Sequence, residues 1–337
     1  MQKLLRKSLF GLVLLVALVF LGACSEETGK SVEAEDPVAE DPAADYPAGP
    51  ITVIVPAGAG GDTDLNTRIM AKYLKDELNT NVVVTNVTGA GGATGTQTVL
   101  DAEANGQTVL AFHNSMLLNN IFGLTDYTYD EFKMAGIGVL DQSNTFLTHK
   151  DSKFNDIPSL IEYAKANPGK VTMATEVGSM TYIQTLQFQK LAGVEFNIVD
   201  VGGAADKIAA LLGGRVDIVP TSLGLVSGYI ESGDMVPLGI MAEQRLEGAP
   251  EVPTFKEQGI DIVIDKVFYW GFHKDTPDEF VGKFSKAIEN VVANEEYQKE
   301  IKASWLSPTY LDTEETNAKL EEINSSYEEA YKISQEK

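Results

Sequence analysis

The sequence predicts an α/β protein of two lobes with a ligand cleft between them, on three observations. From Gly49 onward, short β-branched runs alternate with helical apolar patterns. Several of these runs end in a glycine-rich turn that opens directly into a helix. Around residues 141–145 the pattern restarts, and later it returns to the first unit. A chain of 337 residues accommodates about two domains.

The first unit is Ile51-Thr-Val-Ile-Val-Pro-Ala-Gly-Ala-Gly-Gly-Asp-Thr-Asp64. Its β-branched start reads as a strand buried on both faces, and Pro56, lacking an N–H, ends it. Gly58, Gly60 and Gly61 allow left-handed turns and close approach by another molecule. Asp62 or Asp64 is then expected to cap a helix with Leu65, Ile69, Tyr73 and Leu78 at helical spacing, ligand contact by either aspartate being the alternative. The unpaired N–H groups of such a helix start bind anions, although a tight turn with no ligand is the competing reading. A dinucleotide fingerprint fails because Thr63 stands where the third glycine is needed, and no Walker-type phosphate loop occurs.

The second unit is a strand over residues 81–86, the turn Thr88-Gly-Ala-Gly-Gly-Ala-Thr-Gly95 and a helix through Val99 and Leu100. In the third, a strand over 108–112 leads through His113-Asn114-Ser115 into a helix over 116–122. Successive βα turns of a parallel sheet open on one edge, where open α/β sheets hold ligands. A further strand follows over 133–140.

After the crossing, a strand is expected over 146–149 and a helix over 156–167 with an acidic cap and a Pro-Gly stop. A strand over 171–174 runs into Thr175-Glu-Val-Gly-Ser-Met-Thr181 and a helix over 182–191. The next strand, 196–201, ends at Gly202-Gly203 before a helix over 204–212, and a strand over 216–219 precedes Pro220-Thr221-Ser222. Residues 237–241 are expected to return to the first lobe, followed by a strand over 267–272 and a Thr276-Pro277 helix start. The predicted lobes are therefore 49–143 with 237–337, and 144–236.

Lys3, Arg6 and Lys7 precede an apolar stretch over 9–21, which reads as an export signal at residues 1–23 rather than a membrane span. The sole cysteine, Cys24 in Leu-Gly-Ala-Cys, resembles the lipobox of bacterial lipoproteins, where that cysteine is acylated. Residues 24–48, acidic and rich in Pro, Ala and Glu, are expected to be a disordered tether. A chain without further cysteine forms no internal disulfide. Loss of residues 1–23 takes away three positive charges and no negative ones, so the formal charge goes from −23 to −26. That balance argues against nucleic acid as a partner, which needs clustered Lys and Arg.

Ile54-Val-Pro-Ala-Gly-Ala-Gly-Gly-Asp-Thr-Asp64, Gly89-Ala-Gly-Gly92, Ala166-Asn-Pro-Gly-Lys170, Gly203-Ala-Ala205, Leu211-Leu-Gly-Gly-Arg-Val216 and Glu251-Val-Pro-Thr-Phe-Lys-Glu-Gln-Gly259 occur in this order. Together they resemble the solute-binding receptors of tripartite tricarboxylate transporters, the Bug-type family, over about residues 50–315. The resemblance implies a type II periplasmic-binding-protein fold, with each lobe a mainly parallel sheet flanked by helices. It implies a monomeric receptor, not an enzyme, that captures a small di-, tri- or aromatic carboxylate. The receptor delivers this solute to integral membrane transporter subunits, or alternatively presents it to a membrane sensor kinase. Together with Cys24 it implies an exported protein, lipid-anchored to the outer face of the cell membrane.

By the same resemblance, Gly58, Ala59, Gly60, Gly61 and Thr63 supply the first loop's amides and hydroxyl, and Gly91 and Gly92 the second loop. Ser115 lies at the third turn, Gly178, Ser179 and Thr181 face it from the other lobe, and Gly203 and Ala204 start the helix that closes on the ligand. Thr221 stands where an aspartate suited to an amino group is common, which argues against an amino acid ligand. Few charged partners are expected: Arg68 and Arg215 do not obviously reach the cleft, and amides and hydroxyls are left to hold the carboxylate. Neither a cofactor nor a metal is expected, since His113, His149 and His273 are too far apart to suggest a metal set. Ser179 has no neighbouring histidine or acid to make it a nucleophile, and Gly-Leu-Val-Ser227-Gly does not fit a hydrolase elbow. Phe268-Tyr-Trp270 is read as packing between the lobes.

Overall fold

A computed structural model describes residues 46–335. The expected export signal, Cys24 and the tether up to residue 45 lie outside the described residues. In chain order the elements begin β1 (Ile51–Val55), α1 (Asp62–Glu77), β2 (Val82–Asn86), α2 (Ala93–Leu100), β3 (Thr108–His113), α3 (Ser115–Ile121) and β4 (Phe132–Asp141). There follow β5 (Asn144–His149), α4 (Ile157–Ala166), β6 (Thr172–Thr175), α5 (Met180–Ala192), β7 (Asn197–Asp200), α6 (Ala204–Leu212), β8 (Ile218–Ser222), α7 (Ser227–Glu231) and β9 (Met235–Ile240). The chain ends with β10 (Lys266–His273), α8 (Asp278–Ala293), α9 (Glu295–Lys302), β11 (Ser307–Leu311) and α10 (Thr313–Gln335).

Two sheets form, in the orders β11-β4-β10-β3-β1-β2 and β7-β6-β8-β5-β9, flanked by helices. Both are mixed rather than mainly parallel: β1 runs parallel to β2 and β3, but β10 is antiparallel to β3 and β4, and β5 is antiparallel to β8 and β9. The reason lies in where the chain crosses. β3 and β8 end at the cleft, with His113 and Ser222 in its wall, whereas β5 and β10 start there, with Asn144 and Lys266. A strand that enters a sheet from the edge where its neighbours finish must run against them.

Two expected boundaries shift. β9, which includes residues 237–240, pairs with β5 and completes the second sheet instead of returning to the first. Tyr46, placed in the tether by sequence, is 3% exposed, stacks on Phe280 at 4.6 Å and donates from its hydroxyl to Gly106 O at 3.0 Å. Ordered packing on the first sheet therefore begins at least three residues before position 49.

β1 is buried almost throughout, as its β-branched run requires, while β2 at the sheet edge alternates between half-buried and exposed positions. Phe268 and Trp270 belong to the core of the first sheet rather than to the expected packing between lobes, whereas Tyr269 lies in a hydrophobic cluster that runs through both lobes. Phe268 and Trp270 pack with Val53, Met70 and Phe284 on one face, and Tyr269 with Phe112 on the other. At α4, Asp156 accepts from Ser159 N at 2.8 Å while the Ser159 side chain answers the Asp156 N–H, a reciprocal cap that contributes about 1 kcal/mol. The C-terminal α10 packs on β4 and α3 and reaches α5 of the second lobe. Among the described residues no helix is long and apolar enough to cross a membrane.

Candidate functional site

The ends of β1, β3 and β8, the starts of β5 and β10, and the N-termini of α1, α5 and α6 converge on one narrow interlobe cavity of about 60 Å³. Hydrogen bonds across the cleft hold the lobes together around it. Met180 N donates to Ser115 Oγ at 3.0 Å, Asn119 Nδ2 bridges Gly91 O and Gly178 O at 3.1 and 3.2 Å, and Ser222 Oγ reaches Asp62 Oδ2 at 2.9 Å. Gly91 has to be glycine: its φ is +63°, and a Cβ would stand 2.8 Å from Gly178 O. Gly61 brings the first loop against α6, where an added Cβ would touch Ala204 Cβ at 3.6 Å.

Of the residues expected at the ligand, Gly58, Gly61, Thr63, Gly91, Ser115, Ser179, Thr181, Gly203, Ala204 and Thr221 line this cavity. Ala59, Gly60, Gly92 and Gly178 do not. Gly60 N is turned to Asp64 Oδ2 at 2.9 Å, and Gly92, at φ +104°, lies against Phe112 so that its turn can pack on β3. Gly178 lies behind the wall, joined to Asn119.

The first loop is not an open nest for a foreign anion, because the chain's own carboxylates occupy it. Thr63 N donates to Asp62 Oδ1 at 2.8 Å, and Gly60 N goes to Asp64 as described. Neither aspartate is the side-chain cap expected of it: the N-cap is Gly61 and carries no side-chain cap bond. Asp64 instead receives Arg68 Nε and Asn86 Nδ2, both at 2.9 Å, which keeps Arg68 out of the cleft.

Sequence reasoning missed most of the charged wall, weighing only Asp62 as an alternative. Asp62, His113, Glu176, Lys207 and Lys266 all face the cavity, alongside Pro56, Ala57, Phe112, Asn144, Met180 and Ser222. Lys266, 5% exposed, is ion-paired with Asp62, and the Ser222 hydroxyl stands between Asp62 and Asp141. Burial alone would raise the Asp62 carboxyl. The Lys266 ammonium, His113 and the hydrogen bonds from Lys266 and Ser222 outweigh it, so Asp62 stays well below the usual carboxylate range. Asp141, deeper, goes the other way: burial raises it despite Lys266 and the bonds from Ser143 and Ser222. Burial and the neighbouring lysines hold His113 neutral, and its Nδ1 accepts from Ser115 N at 3.2 Å, which leaves the ring proton on Nε2.

Lys207 is the exceptional group. It is 4% exposed, and among the described residues its ammonium bonds only to Thr181 Oγ1, at 3.3 Å. Burial lowers it to about 8, against the pull of Glu176 and Asp62. It sits in the first turn of α6, where the unpaired amides of the helix start already favour an anion. Burial likewise raises Glu176, partly offset by Lys207. A sequence signal for Lys207 existed, since a cation in the first turn of a helix opposes the helix dipole.

The arrangement can bind and orient a small anion. Among the described residues no group of three or more His, Cys, Asp or Glu is placed to hold a metal ion. The family described as the tripartite tricarboxylate transporter family receptor matches residues 67–330. The chain is 33% identical over 216 residues to Protein BugT of Bordetella pertussis, a match covering 63% of this chain and 66% of that protein. It is 30% identical over 271 residues to a UPF0065 protein of the gbd 5' region of Cupriavidus necator, covering 79% and 81% respectively. The periplasmic binding protein BugD superposes with a TM-score of 0.81 at 26% identity, covering 86% of this chain and 98% of BugD. The same fold, at lower identity, is found in MatC of Rhodopseudomonas palustris with bound malate (TM-score 0.79, 21% identity, 85% of this chain and 99% of MatC). A second R. palustris protein, with adipate, shares it too (TM-score 0.81, 22% identity, 86% and 98%). Family and fold are those of substrate-binding receptors rather than enzymes. On the match over residues 67–330, the chain belongs to the tripartite tricarboxylate transporter receptor family.

Proposed function

We propose that the protein is an extracytoplasmic receptor that captures a small carboxylate and delivers it to the membrane subunits of a tripartite transporter. The observation that carries this reading is the polar cavity closed by both lobes, with the N-terminus of α6 on one wall and hydroxyls on the others. A carboxylate there meets helix amides and the hydroxyls of Ser115 and Thr221. Hydrogen bonds to a charged group contribute about 1.5–3 kcal/mol each, so four or five, less the cost of ordering, give about micromolar affinity. The dicarboxylates held by two proteins of this fold support the ligand class. A lipid on Cys24 would keep the receptor at the outer face of the cell membrane, and residues 144–236 would move against the rest of the protein as ligand enters. β9, which pairs with β5, would move with them.

The test is thermal unfolding against a panel of mono-, di- and tricarboxylates beside sugars, amines and phosphates. A carboxylate at one hundred times its Kd stabilises the folded state by about 2.7 kcal/mol. That corresponds to a rise of about 4–5 °C in a protein of this size. A rise with another solute class and none with any carboxylate would refute the reading.

A further inference from the structure

Most charged groups in the cleft are already satisfied by one another. Lys266 is paired with Asp62, which also takes Thr63 N and Ser222 Oγ. Asp141 is bound by Ser143 N at 2.7 Å and by the Ser143 hydroxyl at 2.6 Å. Two groups are left over. Lys207 has one long bond to a hydroxyl and no carboxylate within ion-pair distance, and the Glu176 carboxylate accepts no hydrogen bond from any described residue. Both line the cavity, and each feels the other's charge, yet no ion pair joins them.

A buried ammonium with spare N–H groups costs free energy until an acceptor arrives, and an unpartnered carboxylate facing the same space calls for a donor. A plain carboxylate satisfies Lys207 but brings like charge to Glu176. An acid carrying a donor next to its carboxylate satisfies both. Resting on the receptor reading above, we propose that Lys207 and Glu176 form a dipolar subsite on the second lobe. Lys207 takes a ligand carboxylate, and Glu176 accepts from a hydroxyl or ammonium on the adjoining carbon. Ser179 and Thr181 brace the pair. Ser179 Oγ donates to Glu176 O at 2.7 Å and lies 2.9 Å from Thr181 Oγ1, the partner of Lys207.

The subsite makes binding pH-dependent. Lys207 is faced by Glu176, by Asp200 at the end of β7, by Asp62 of α1, by Lys266 of β10 and by His113 of β3. The three carboxylates hold its proton on, while burial and Lys266 drive it off. A bound carboxylate adds to the first group, so affinity falls as pH rises above about 8.

The experiment is calorimetric titration at pH 7 with acids of three to six carbons in matched sets: the parent acid, its 2-hydroxy form and its 2-amino form. The 2-hydroxy or 2-amino member should bind at least tenfold more tightly than the parent. Glu176→Ala should reduce that preference below threefold. Glu176→Gln, which keeps an acceptor but no charge, separates the donors: preference retained marks a hydroxyl, and preference lost marks an ammonium. Lys207→Met should weaken the tightest acid at least thirtyfold, with unimpaired ligand-free melting, and abolish the fall in affinity above pH 8. Equal binding of parent and substituted acids, or a Lys207→Met protein within threefold of the native affinity, overturns the subsite alone. Failure of every acid in the panel to bind overturns the receptor reading with it.

Discussion

Replacing Lys207 by methionine should make the ligand-free protein more stable. The side chain is 4% exposed, and burial holds its ammonium at about 8 instead of 10.5. That depression is equivalent to about 3 kcal/mol of destabilisation at neutral pH, at 1.36 kcal/mol per pH unit. Methionine keeps the methylene packing, and Thr181 keeps Thr175 and Ser179 as hydroxyl partners at 3.0 and 2.9 Å. A gain of about 1–3 kcal/mol is therefore expected, or about 2–5 °C in melting temperature. The sign with pH follows from proton counts. Below about pH 8 Lys207 is charged in both the folded and unfolded states, and the native protein carries the full penalty. Between about 8 and 10.5 the folded state gives up the proton while the unfolded state keeps it, so native stability rises with pH and the gap to the variant closes. Urea unfolding of both proteins at pH 7, 8.5 and 10 measures this. A variant less stable than the native protein at pH 7, or a gap that does not narrow by pH 10, would refute the reasoning.

Asp62→Asn should cost about 3–5 kcal/mol, because it leaves the buried Lys266 without its carboxylate; a urea midpoint corresponding to less than 1 kcal/mol of loss would show that Asp141 had replaced it. The contribution of Asp62, held below its ordinary value of 3.8, is fully present above about pH 4 and is lost as the pH falls further, a slope the asparagine variant should lack. Gly91→Ala places a Cβ 2.8 Å from Gly178 O at a φ of +63°. It should hold the lobes apart and weaken carboxylate binding at least tenfold by calorimetry, and affinity within twofold of native would count against the closed contact.

The fold was legible where local chemistry and tertiary context agree. The β-branched run of β1, its terminating Pro56 and the glycines after it could fit little besides a buried strand feeding a tight turn. The mixed sheet order was not legible, because the direction of β10 depends on the edge from which the chain re-enters, and no residue in Lys266–His273 encodes that. The turns that approach the ligand space could be read from their glycines and from the family resemblance. The charges within it could not, beyond the one hint that a cation in the first turn of α6 opposes the helix dipole. Lys207 lies in a short helix where a lone cation ordinarily points to solvent, Glu176 lies in a loop, and Lys266 precedes an apolar strand. Their burial is a property of two lobes meeting, which no window of sequence contains. Asp62 misled for a related reason: an aspartate at a helix start usually bonds to the helix, whereas here an ammonium from β10 claims it.

The position of β10 also governs how the molecule can be made. It lies between β3 and β4 in the middle of the first sheet, yet it follows both by more than one hundred residues and comes after the entire second sheet. Until Lys266–His273 emerges from the ribosome, β3 and β4 have no partner between them, and the apolar side chains of Val109, Ala111, Met134 and Ile137 lie on strands with open edges. A product stopped short of residue 266 therefore has no central strand with which to close the first sheet.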